Sequence, residues 1–199
     1  MIPATIGARE ESSHVATAQP AVKLTYVDYC AAPPDKRYEL RDGELNMVPA
    51  PNIKHQVVQL KLATRLDLFI EDRRLGTLLT AACDVMLSDT DVVQPDLLFI
   101  SQEHEHLLSG GQKVQGAPDL VVEILSPSTA KQDRGEKRAL YGEHAVTEYW
   151  LVDPVAETVQ IHRLQGQVLL PTRTFSREET LRSPLLTGFE VKLNDIFRS

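Results

Sequence analysis

Strands alternating with helices around one almost wholly apolar segment predict an α/β or mixed α+β fold for this chain of 199 residues, a central sheet flanked by helices. Three stretches carry that reading. Residues 119–125, Asp-Leu-Val-Val-Glu-Ile-Leu, form the run expected of a strand covered on both faces, interrupted by one acid, Glu123. Residues 53–75 repeat apolar side chains at helical spacing, and residues 38–48 alternate around Asp42-Gly43, a favoured two-residue hairpin turn.

Composition narrows the class. A content of 42% hydrophobic and 25% charged residues fits one compact domain with a real core. Residues 1–21 mix small and polar types without periodicity, so a flexible N-terminal tail is expected there, with the folded domain at 22–199. Cys30 and Cys83 lie 53 positions apart, neither a zinc-type pair nor a disulfide framework. With no run near the roughly 18 apolar residues of a membrane helix and no signal-peptide core, the expected location is cytoplasmic. The net charge of −7 argues against coating nucleic acid through bulk electrostatics. A site that gathers carboxylates for a cation contributes to such a balance, and phosphate contacts need only a local basic patch.

In chain order, the hairpin places Tyr38, Leu40, Leu45 and Met47 on one face and Glu39, Arg41, Glu44 and Asn46 on the other, facing a cleft or water. The next element, a helix, takes Asn52 as its cap, Val58, Leu62, Leu66, Phe69 and Ile70 as its stripe, and Gly76 as its stop. His55, on the edge of that stripe, reads either as a capping or packing residue or as a site residue. Residues 77–87 and 92–101 are expected as single strands, and residues 130–143 as a helix carrying Lys131, Arg134, Lys137 and Arg138. Strands come next at 148–152, 158–164 and 167–170, then an edge strand at 186–193 and a closing helical turn at 194–198. His104-Glu105-His106 has the wrong spacing for a helical zinc pair and reads as a solvated turn.

The chemistry centres on two acids. Asp96 follows Pro95 in one predicted strand and Glu123 interrupts the next, 27 positions later, so adjacent strands would bring both carboxylates together. Mg²⁺ asks for one or two hard carboxylates, retained waters and substrate phosphate. An ionised acid in an apolar strand also needs a cation, a polar cleft or a proton. Gln94, two positions before Asp96, falls on the same side as a polar neighbour.

The segments Val93-Gln94-Pro95-Asp96-Leu97, Ala117 to Thr129, Asp133-Arg134-Gly135-Glu136-Lys137 and Glu148 to Pro154, with the opening Tyr38 to Glu44, together resemble the Uma-type restriction endonuclease family. The likeness spans residues 22–197 and implies the PD-(D/E)XK nuclease superfamily, with a restriction-endonuclease-like core and metal-dependent cleavage of DNA. Carried over, it makes Asp96 and Glu123 ligands of Mg²⁺ or Mn²⁺. The superfamily's lysine, two residues after the second acid, falls at Leu125. Lys137 is the implied substitute, on a helical face with Arg134 and Tyr141; the plain alternative is a solvated Asp133–Lys137 pair. Glu39, Glu44 and His55 are the further candidates that the resemblance implies. A homodimer is expected, since one small site reads little DNA alone. A module of this fold that binds nucleic acid or protein without catalysis is the competing reading, permitted by Leu125 and the acidic balance.

Overall fold

The computed structural model describes residues 22–198, so the tail expected at 1–21 lies outside the described residues. A short helix, α1 (Tyr26–Cys30), precedes the hairpin of β1 (Tyr38–Arg41) and β2 (Glu44–Met47). Asp42 (φ 49°) and Gly43 (φ 74°) both take the left-handed conformation that such a tight turn requires. The long helix α2 (Ile53–Arg73) is capped by the Asn52 side chain, which accepts from the His55 amide at 2.9 Å. Val58, Leu62, Leu66 and Ile70 are its buried stripe, as the periodicity predicts.

The helix stop differs from expectation. Arg74 takes the left-handed terminal position (φ 51°), while Gly76 opens β3 (Gly76–Thr80) with φ 148°. A side chain at Gly76 would meet the Ile100 carbonyl oxygen at 2.0 Å, so close strand contact is what this glycine serves.

The two strands expected at 77–87 and 92–101 are each broken in two. β3 pairs with β6 (Leu97–Ser101) in a six-stranded sheet, while β4 (Val85–Ser88) pairs with β5 (Asp91–Val93) in a five-stranded one. The chain thus passes twice between sheets, and Gln94-Pro95-Asp96 lies in one of the breaks. Proline donates no ladder hydrogen bond, which suits it to that break.

The five-stranded sheet has the order β2-β1-β5-β4-β7, with β7 (Val114–Gln115) at its edge; the six-stranded sheet runs β11-β10-β9-β8-β6-β3. In the latter, β8 (Leu120–Ile124) is buried throughout, lying antiparallel to β6 and parallel to β9 (Glu148–Asp153). The β9–β10 turn is held by Asp153, whose Oδ1 accepts from the amides of Val155 and Ala156. β10 (Thr158–Gln165) pairs with β11 (Val168–Ser176), which runs further than the four residues expected. The strand expected at 186–193 shrinks to β13 (Glu190–Lys192), paired with β12 (Thr180–Arg182), before α5 (Leu193–Phe197).

Side-chain alternation along β8 divides the core. Leu120, Val122 and Ile124 pack with the α2 stripe, Trp150 and Phe189, whereas Val121 and Leu125 pack with Tyr141, Tyr149 and Leu151. Trp150 and Tyr149 are fully buried, core residues as expected.

The crossover from β8 to β9 is helical but not uniform. It comprises α3 (Ala130–Gln132), a π-helical turn (Asp133–Lys137) and α4 (Arg138–Glu143). A π turn carries one extra residue and rotates the helix beyond it about the axis. Arg134 therefore points out to Asp153 at 2.8 Å and does not share a face with Lys137 and Tyr141, while Asp133 and Lys137 are both buried. The residues 102–108 form a 3-10 helix in which His104 Nδ1 meets the buried Asp119 at 2.8 Å, so His104 is paired rather than simply solvated. Both cysteines are free thiols. No helix among the described residues is long and apolar enough to cross a membrane.

Candidate active site

The pairing of β6 with β8 sets Leu97 opposite Val122 and Leu98 opposite Val121 and stops there, so Asp96 lies one residue before the ladder and Glu123 one residue beyond its last partner in β8. Asp96 turns its carboxylate to the end of β8, and Glu123 comes from that strand, so the two acids meet at the strand end. Both line one cavity of about 290 Å³, together with Arg37, His55, Gln94, Asp133 and Lys137.

Asp96 lies just where the ladder has ended. Its Oδ2 accepts the Ile124 amide at 2.7 Å and meets His55 Nε2 at 3.1 Å. The first turn of α2 thus delivers His55 to Asp96, and the same buried residue lines the cavity. Gln59, one turn further on, donates to the Asp96 carbonyl at 2.9 Å. Glu123 is 4% exposed, and its Oε1 accepts from Lys137 Nζ at 3.0 Å and from Tyr141 hydroxyl at 2.7 Å. Lys137 in turn lies 2.8 Å from Glu39 Oε1 and 3.7 Å from Asp133 Oδ1.

Three carboxylates, Glu39, Glu123 and Asp133, surround this one lysine. Burial first, then the charges of Asp133, Asp96 and Glu39, push Glu123 well above the usual carboxylate range against the pull of Lys137. Asp133 is raised for the same leading reason, burial. Burial works to lower the Lys137 pKa, but Glu123, Glu39 and Asp133 outweigh it and hold the ammonium protonated.

The donor set fits a hard cation. Asp96 Oδ1 and Glu123 Oε2 have no hydrogen-bond partner among the described residues, so each acid keeps one oxygen for a ligand. No group of three or more His, Cys, Asp or Glu side chains among the described residues is placed to hold a metal ion. Two carboxylates plus water and substrate phosphate is the magnesium pattern, whereas zinc asks for three or four protein ligands.

The remaining candidates separate. Gln94 faces the cavity, accepting from Arg37 Nε at 3.0 Å and donating to Asp84 at 2.7 Å. Glu39 is buried beside it but does not line the cavity. Glu44 is exposed and borders a different depression with Arg41, Asp42 and Glu136, so the structure does not bring it to this site. The fold adds Tyr141, Asp133 and the Ile124 amide. Tyr141 lies four residues after Lys137, a visible signal; the Ile124 amide left none, because a backbone donor has no residue type.

The model of the Uma2 family, described as "Putative restriction endonuclease", matches residues 25–194. Among solved structures, the chain is similar to a "putative nuclease belonging to DUF820" from Anabaena variabilis ATCC 29413. That likeness has a TM-score of 0.71 at 18% sequence identity, over 87% of this chain and 97% of the other. No curated protein matches.

Proposed function

The chain belongs to the Uma2 family, and from that membership we propose that it is a Mg²⁺- or Mn²⁺-dependent endonuclease that hydrolyses phosphodiester bonds in DNA. The observation that supports the reading is that Asp96 and Glu123 line one cavity, each with one oxygen lacking a hydrogen-bond partner among the described residues. These two residues would hold the cation, which, when bound, supplies Lewis-acid stabilisation to the charge that builds on the attacked phosphate.

The chain's own groups do the rest. Lys137, from the crossover helix rather than from position 125, presents the ammonium that orients a water and offsets developing negative charge. Tyr141 fixes Glu123, and His55 and the Ile124 amide fix Asp96, so neither carboxylate reorients during reaction. Arg37, on the cavity wall, is placed to take a neighbouring phosphate. We assign residues 22–199 to one catalytic domain and expect two copies per DNA site, a stoichiometry that sedimentation of the protein with an oligonucleotide duplex measures.

The test is cleavage of plasmid and single-stranded DNA by the purified protein. Activity should require Mg²⁺ or Mn²⁺, vanish with a chelator, and fall about 10²- to 10³-fold or more in Glu123→Gln and Asp96→Asn. Cleavage undiminished in Glu123→Ala removes this site. Tight DNA binding with no cleavage under any divalent ion makes the chain a non-catalytic binding module of the same fold.

A further inference from the structure

Lys137 stands between carboxylates from two different sheets. Glu123 Oε1, from β8, lies 3.0 Å from its Nζ, and Glu39 Oε1, from β1, lies 2.8 Å away. The two acids are not equivalent. Glu123 borders the cavity and keeps an oxygen free; Glu39 does not border it. Glu39 Oε1 also accepts the Gln94 amide at 3.0 Å, and its Oε2 lies 3.9 Å from Arg41 Nε. The backbone holds Glu39 there, because Leu40 pairs with Val92 of β5, just before the break that carries Gln94 and Asp96.

A lysine two residues after Glu123 would be held by the strand itself. Here that position is Leu125, packed in the core, and the lysine arrives on a long side chain from the π turn. If Glu123 were its main partner, a cation taking Glu123 would compete directly with the ammonium and leave it buried and poorly paired, a costly state. Asp133, at 3.7 Å, is a weak substitute.

We propose that Glu39 is the positioning residue for Lys137. It anchors the ammonium from the opposite sheet, so that Glu123 can exchange the lysine for a divalent cation while the lysine stays on the cavity wall. The proposal rests on the metal-dependent nuclease reading only for what Glu123 binds next; the anchoring itself needs no metal.

The test uses the full ¹⁵N-labelled chain and tracks exchange of the Lys137 ammonium protons with water. Glu123→Gln, isosteric and neutral, stands in for a Glu123 whose charge has been given to a cation. Metal-free, exchange should stay slow in the wild type and in Glu123→Gln. It should accelerate at least ~10-fold in the Glu39→Gln/Glu123→Gln double variant, with unchanged circular dichroism showing that the fold persists. Equally slow exchange in the double variant, or a lysine already freed by Glu123→Gln alone, overturns the proposal.

A second arm separates anchor from ligand by Mn²⁺ calorimetry in a Lys137→Met background. An anchor has nothing left to hold there, so adding Glu39→Gln should change Mn²⁺ affinity less than about threefold; a loss above about tenfold would make Glu39 a ligand and overturn the proposal. Should the wild type bind no Mn²⁺, the cation reading of the cavity falls, and the metal-free exchange still decides whether Glu39 is the anchor.

Discussion

His162 shows how one side chain sets a pH limit on this protein. It sits in β10 against the Tyr149 ring, 1% exposed, and its Nδ1 is buried without a partner among the described residues. Burial, and then the positive charge of Arg138, pull its pKa from 6.5 down to about 4. Between those values the unfolded chain binds a proton that the folded state refuses. Stability therefore falls as pH drops through this window and is regained above it, by on the order of 3 kcal/mol at most. His162→Phe should flatten this dependence, read as the difference in urea midpoint between pH 7 and pH 4.5. Equal midpoint shifts in variant and wild type would contradict it. Glu123 is the counterpart at the site, an acid that burial and its acidic neighbours keep hungry for a proton or a cation.

Among the elements, the segment 130–143 shows why a regular helix would not serve. A uniform α-helix from Ala130 would carry Arg134 round with Lys137 and Tyr141; the π turn instead buries Asp133 and Lys137 and sends Arg134 to Asp153. Gly135, in that turn, has open space where a Cβ would go and needs no positive φ. Gly135→Ala should accordingly stabilise by about 0.5–1 kcal/mol, through a less flexible unfolded chain, read as a raised urea midpoint. Gly76→Ala is the opposite case. At φ 148° and with the Ile100 oxygen 2.0 Å from the added carbon, it should cost about 3 kcal/mol or more, measurable by urea denaturation. A neutral Gly76→Ala would mean that β3 shifts freely against β6.

Across the molecule, the candidate site lies at the seam where two strands leave one sheet for the other. β8 carries Glu123 from the six-stranded sheet, β1 brings Glu39 from the five-stranded one, and Asp96 sits in the passage between them. With Asp96 and Glu123 on one cavity at this seam, a divalent cation bound there should stabilise the whole fold. Mn²⁺ at ~100 times its dissociation constant should add about 2.7 kcal/mol, seen as a rise in melting temperature that Asp96→Asn diminishes. An unchanged melting temperature in the wild type would count against a cation site.

The hairpin, α2 with its Asn52 cap, and the buried strand with Glu123 in its middle were legible in the chain, because turn chemistry, helical period and apolar runs are local. Asp96, Glu123 and, through the resemblance, Lys137 were singled out there as well, and the structure sets all three on one cavity. The split of two long strands between sheets, the π turn, the outward swing of Arg134 and the pairing of His104 with Asp119 were not, because each depends on partners far along the chain. Glu39 makes the division plain. Residue type marks it as an acid on a hairpin face and says nothing more; only the packing of β1 against β5 and the crossover helix turns it inward to Lys137, leaving Glu44 on the same ribbon in solvent. Local spacing determines which elements form and which residues carry charge. Which charges meet is decided by long-range hydrogen-bond registers and burial, and those exist only once the sheets have assembled.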